Sequence, residues 1–193
     1  MKVNDHDFPD PKLGVIVPHG IYDTQRNEGY MMLSTSRDTS EFACDCIKYW
    51  WLTYGEKQYP DASCILILSD GGGSNSSRNY IFKEDLQNLV NELQIEIRMA
   101  HYPPYTSKFN PIERRLFCHV TEACAGTLFT SVEVVKGLID KTSTSTGLKV
   151  FTSITDKVYK TARKVKKDFK QTMTIVFDDF LGNWNYRAVP QVP

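Results

Sequence analysis

The feature that most restricts this chain is the uninterrupted apolar run from Cys64 to Leu68, which leads through Ser69 into Asp70–Gly71–Gly72–Gly73. A short run without alternation marks a strand covered on both faces, as in the middle of a layered α/β domain. Such a strand needs helices to cover it, and the flanking sequence supplies them. Upstream, Phe42, Ala43, Cys46, Ile47, Trp50 and Tyr54 recur at three- and four-residue steps. They predict a helix capped by Asp38, with Glu41 at the capping-box position and Gly55 as its end. Downstream, Phe82, Leu86, Leu89, Val90 and Leu93 form the stripe of a second helix, and Ile95, Ile97 and Met99 alternate with Glu96 and Arg98 as a strand.

The outer parts of the chain extend this pattern. Leu13–Tyr22, interrupted by Pro18, and Tyr30–Leu33 read as two strands joined by the turn Asn27–Glu28–Gly29. After a Pro-containing loop at His101–Asn110, Asn110 is a good N-cap and Pro111 suits the first helical position, with Ile112, Leu116 and Val120 inward. Val132, Val135, Leu138 and Ile139 suggest another helix, Leu148–Ile154 a strand, and the basic block beyond it a last helix. The order hairpin, helix, strand, helix, strand, helix predicts an α/β domain with a mixed sheet.

Composition narrows the class. The chain has 193 residues, 41% hydrophobic and 24% charged, ordinary for one globular domain with a core. No apolar run is long enough to span a bilayer, and Met1–Asp10 is too polar for a signal peptide, so the expected location is cytoplasmic. The five cysteines are an odd number without CxxC spacing, which argues against a zinc ribbon or a disulfide framework and for buried or half-buried thiols. The formal net charge is zero, but seven basic residues and a single acid, Asp168, fall between Lys157 and Lys170. Such a block can track a phosphate backbone, or it can be a solvated helix face.

Two carboxylates stand where chemistry is possible. Asp70 ends the central strand, the edge at which open α/β sheets bind ligands, and the glycines after it leave room for a metal ion or a phosphate. An Asp–Gly turn explains it equally well. Glu113 lies three residues after the Asn110 cap, so completing that cap is its simplest local role. Arg114 and Arg115 beside it either hold phosphate oxygens or are solvated. His101 and His119 have no partner at ligand spacing. No serine sits in a nucleophile elbow, and the triple glycine is not a P-loop.

Taken together, Ile67–Asn75 (ILSDGGGSN) and His101–Glu113 (HYPPYTSKFNPIE) resemble the Rhodopirellula-type DDE transposases of insertion sequences. The similarity extends to His6–Pro9, Gly20–Asp23, Asp38–Ala43, Thr146–Val150 and Trp184–Tyr186, nearly the whole chain. The resemblance implies a ribonuclease H-like domain, a mixed sheet of strand order 3-2-1-4-5 flanked by helices. It also implies Asp70 as the second catalytic carboxylate, on strand four, and Glu113 as the third, on the helix after strand five. Their task would be to hold two Mg²⁺ or Mn²⁺ ions for DNA strand cleavage and transfer. The implied partners are DNA, as transposon ends and target, and further copies of the chain as a homo-oligomer. Arg114, Lys164 and Lys167 are the expected DNA contacts.

The sequence departs from that pattern in one respect. Only two strands precede the helix at Asp38, and they match strands two and three. Strand one, the middle of the sheet, and its catalytic Asp thus have no counterpart; Asp23, at the hairpin end, lies in the segment matching strand two. The expectation is a partial ribonuclease H-like DDE domain over 1–155 with a basic helical extension over 156–193, inactive alone. The alternatives are a non-catalytic DNA-binding or self-associating remnant, or a subunit completed by another chain.

Overall fold

The hairpin is set by its turn. In a computed structural model, which describes residues 15–73, 76–103 and 105–191, β1 (Val17–Asp23) pairs antiparallel with β2 (Glu28–Ser34), from Val17 opposite Ser34 to Asp23 opposite Glu28. The Asp23 carboxylate accepts the backbone N–H groups of Gln25 (3.0 Å) and Arg26 (3.1 Å), and Asn27 takes the left-handed conformation, φ 56°, that Asn tolerates. Asp23 is therefore engaged in turning the chain. The start of the expected first strand at Leu13, the motif His6–Pro9, the polar Met1–Asp10 stretch, and Ser74 and Asn75 lie outside the described residues.

The described residues divide into two compact units, one drawn from Met1–Arg37 and Pro111–Tyr159, the other from Asp38–Asn110 and Lys160–Pro193. In the first, β5 (Lys149–Thr155) pairs parallel with β2, giving the three-stranded order β1-β2-β5. The helical segment entered at Pro111 passes through a π-helical turn, Glu113–Phe117, into α4 (Cys118–Cys124), and α5 (Val132–Ile139) follows, capped by the Ser131 hydroxyl. Met31 and Leu33 of β2 pack with Leu116, Val135, Ile139 and Leu148 in one core. Two glycines allow that approach: a Cβ on Gly29 would collide with the Leu116 side chain, and one on Gly20 would lie 2.5 Å from the Phe117 ring. Leu116 and Phe117 can press onto the hairpin because those positions are bare.

In the second unit, α1 (Ser40–Trp50) begins one residue later than expected, capped by the Thr39 hydroxyl, which accepts the Phe42 N–H at 3.1 Å. It does not stop at Gly55 but runs through a π-helical turn, Trp51–Gly55, into α2 (Glu56–Gln58). A Cβ on Gly55 would lie 2.6 Å from the Trp51 ring, so the glycine makes room for that ring rather than ending the helix. Helix α3 (Tyr80–Leu93), capped by Asn79, packs against α1. The sheet has the order β3-β4-β7-β6, with β3 (Cys64–Asp70) parallel to β4 (Glu96–Tyr102). The tail supplies two short strands, β6 (Ile175–Phe177) and β7 (Asn185–Ala188), the latter antiparallel to β4.

Three expectations change here. The architecture is α/β, with mixed sheets and helices, in accord with a ribonuclease H-like domain. However, among the described residues it holds two sheets rather than one continuous sheet. The neighbours β2-β1 and β3-β4 survive from the expected order, but β1 and β3 are each an edge strand among the described residues. Nor is β3 covered on both faces: Ile65 and Ser69 are buried, while Leu66 and Leu68, on the opposite face, are 63% and 43% exposed.

The third change is the basic block, which is not a helix. It runs irregularly, with Ala162 at φ 57°, up to the four-residue α6 (Phe169–Thr172). The cause lies on α3, where Lys83, Glu84, Asp85 and Gln87 are buried beside the apolar stripe. Asp85 pairs with both terminal nitrogens of Arg163, Glu84 accepts the Lys166 N–H at 3.3 Å, and Gln87 accepts the Thr174 N–H at 2.9 Å. Bonds to fixed points along α3 hold the segment extended, because each polar group buried there needs its partner.

Candidate active site

Asp70 is the last residue of β3, opposite Tyr102 on β4, with its side chain exposed. The Ser69 hydroxyl donates to the Asp70 carbonyl at 3.0 Å, which ties down the backbone at the strand end. Beyond it the surface is bare: a Cβ on Gly72 would meet nothing within 4 Å, and one on Gly71 only the Tyr102 carbonyl (3.7 Å) and the Trp184 ring (4.0 Å). His101, opposite Ser69, donates its backbone N–H to the Trp184 carbonyl at 3.0 Å, and its ring nitrogen Nδ1 lies 2.9 Å from the same oxygen. Its ring also stacks on Tyr186 at 5.6 Å between centroids. These bonds give His101 a positioning task, holding Trp184 beside the Asp70 strand end.

Glu113 belongs to the other unit. It is half-buried and opens the π-helical turn Glu113–Phe117. An inserted turn of this kind re-aims side chains and recurs at functional sites. The turn is fixed at its far end by Leu116, fully buried over Gly29, and by Phe117 over Gly20. Arg114 is exposed, and its carbonyl accepts the Cys118 thiol at 3.0 Å.

Lys164 and Lys167 are exposed on the irregular segment of the second unit, while Arg163 between them and Lys160 is not free. Its guanidinium binds Asp85 and lies 3.8 Å from Glu41, and the Ser40 hydroxyl donates to Asp85 at 2.6 Å. The hydrogen bonds that Arg163 donates to Asp85 hold its pKa above the usual arginine value. The basic block is therefore part anchor and part solvated lysines. Cys44 and Cys46 are buried, and burial raises both thiols well above the ordinary range, which suits packing and not reactivity.

Sequence reasoning passed over Lys83, which lies next to the apolar stripe of α3 and is only 2% exposed. It donates to the Ser77 carbonyl and lies over the rings of Tyr186 (4.7 Å), Tyr80 (5.3 Å) and Phe177 (5.9 Å). Tyr80 stands one turn earlier on the same helix, but Phe177 and Tyr186 come from the tail strands, so the local sequence shows only one of the three rings.

Carboxylates are the donors that Mg²⁺ and Mn²⁺ take, and the open strand end at Asp70 leaves an ion room to approach. A two-metal site nevertheless needs more donors than one strand end provides. Among the described residues no group of three or more His, Cys, Asp or Glu side chains is arranged to hold a metal ion.

The decisive comparison concerns the whole chain: the Rhodopirellula transposase DDE domain family matches residues 1–190. The chain belongs to that family. No curated protein and no solved structure matches it. Membership makes the two sequence segments around Asp70 and Glu113 parts of a transposase domain, a family that uses divalent metal and acts on DNA. Among the described residues, no helix of this DDE domain is long and apolar enough to cross a membrane.

Proposed function

We propose that this DDE domain contributes Asp70 and Glu113 as two of the three carboxylates of a DNA strand-transfer site, and that the chain alone does not cut DNA. The observation that carries the reading is the family match over 1–190, combined with an exposed Asp70 at the end of an edge strand. The two carboxylates are the type that holds Mg²⁺ or Mn²⁺, ions that in such sites stabilise the attacking and leaving oxygens of a phosphodiester. The third carboxylate is expected on a further strand laid along the free edge of β3, from outside the described residues. Arg114, next to Glu113, and the exposed Lys164 and Lys167 supply charge for DNA phosphates.

Supercoiled-plasmid nicking by the purified chain with Mn²⁺, beside Asp70→Ala and Glu113→Ala, tests this reading. No nicking by the folded chain agrees with an incomplete site. Nicking that both substitutions abolish would mean that a complete ligand set is present and that the incompleteness argument is wrong.

A second reading, a non-catalytic DNA-binding or self-associating remnant, is favoured by one observation. Lys160, Lys164, Lys166, Lys167 and Lys170 remain exposed on a segment that Arg163 anchors. Binding to duplex DNA that weakens steeply with salt, in the absence of nicking, is its signature.

A further inference from the structure

The second unit contains a cleft of about 580 Å³ lined by Arg78, Tyr80, Lys83, Phe177, Asn183 and Trp184, among others. That volume lies within the range of about 300–1,000 Å³ that holds small ligands. Its walls are aromatic and its charge is positive. Among the described residues no carboxylate pairs with Lys83, and the exposed Arg78 lines the same space. Lys170 adds a further cation, 4.2 Å from the Tyr80 ring centre. Aromatic faces beside unpaired cations favour a flat ring that carries an anion.

We infer that this cleft takes one unpaired nucleotide of a DNA strand, its base against Trp184 and Tyr80 and its phosphate toward Arg78. Position favours a strand: the Trp184 ring stands 4.0 Å from a Cβ placed on Gly71, the residue after Asp70, and its carbonyl is bonded to His101. A strand with one base in the cleft therefore passes the Asp70 end of β3. The cleft deepens the proposed function by giving the DNA strand a register next to that carboxylate. It rests on the reading that this chain handles DNA, but not on its cutting DNA.

The test is metal-free binding of a fluorescein-labelled single-stranded oligonucleotide by the full chain, read as anisotropy, beside the blunt duplex of the same sequence. Single strand is expected to bind tighter than duplex. Stacking on one base and a charged contact each correspond to about tenfold or more in affinity, so Trp184→Ala and Arg78→Ala each weaken single-strand binding by that factor. Trp184→Phe, which keeps a stacking face, is expected to retain most of it, and circular dichroism confirms that each variant is folded. Unchanged single-strand affinity in folded Arg78→Ala and Trp184→Ala overturns the inference, as does a free nucleoside monophosphate that binds as tightly as the oligonucleotide. Because no metal is present, failure of plasmid nicking leaves this result standing, and failure here leaves the nicking test untouched.

Discussion

Arg163→Ala removes the anchor of the basic segment and exposes how much of unit two depends on it. Asp85 has a side chain only 7% exposed, Arg163 one 31% exposed, and the pair is joined by two hydrogen bonds, the longer of them 2.9 Å. Deleting one member of a fully buried pair costs about 3–5 kcal/mol, because the other is left charged and poorly solvated. Here Ser40 still donates to Asp85, and water reaches the arginine side, so the expected cost is about 2–3 kcal/mol. For a chain of this length that lowers Tm by about 4–12 °C.

All three tryptophans, Trp50, Trp51 and Trp184, lie in the same unit as the pair, so urea unfolding read by tryptophan emission reports the right structure. A cycle with Asp85→Ala separates the interaction from its parts: the double variant should be clearly less damaged than the sum of the singles. Effects that add to within about 0.5 kcal/mol would refute the claim that the two groups act as a pair. So would a midpoint shift caused by a changed slope alone.

Two further perturbations probe the supports of the candidate site. Gly29→Ala drives a methyl group into the fully buried Leu116 and should destabilise the first unit by about 1–3 kcal/mol, measured by urea unfolding followed by far-ultraviolet circular dichroism. Lys83→Met tests the buried cation. Burial lowers the Lys83 pKa from its ordinary 10.5, so between the folded value and 10.5 the unfolded chain binds more protons and stability rises with pH. The penalty is fully present below the folded value and fades as pH approaches 10.5. Lys83→Met should therefore be at least as stable as the parent at pH 7, with its advantage shrinking toward pH 10; an advantage that grows with pH contradicts the assignment.

Periodicity located what local physics determines. The stripes at Phe42–Trp50 and Phe82–Leu93, the hairpin, and the strand at Ile95–Met99 all fold where their spacing places them, because each buries one face against a neighbour. The tail strands were not legible. Three or four residues such as Ile175–Phe177 and Asn185–Ala188 carry too little alternation; β7 becomes a strand because β4 offers it an edge, and β6 because β7 does so in turn. The basic block failed for a related reason. Its charges resemble a solvated helix, and the acids that draw it straight, Glu84 and Asp85, sit about eighty residues away on α3. Asp70 and Glu113 could be named only through whole motifs, since an Asp–Gly turn and an N-terminal glutamate each have an ordinary explanation.

The disagreement at β3 carries the most information. Natural edge strands are guarded by proline, charge or bulges against pairing with other chains. Edge strand β1 carries such a guard in Pro18. Edge strand β3 carries none: Cys64–Leu68 is apolar throughout, and its first charge is Asp70 itself. A sequence built for the interior of a sheet and found at its edge, with Leu66 and Leu68 exposed, is a conflict between local composition and global position. A strand added along β3 would remove the edge half of that conflict. That strand would bury the unpaired backbone and bring its own end beside Asp70, where the proposed function requires another carboxylate. The composition of β3 and the proposed ligand set at Asp70 thus favour the same further neighbour beyond the described residues, although one concerns burial and the other chemistry.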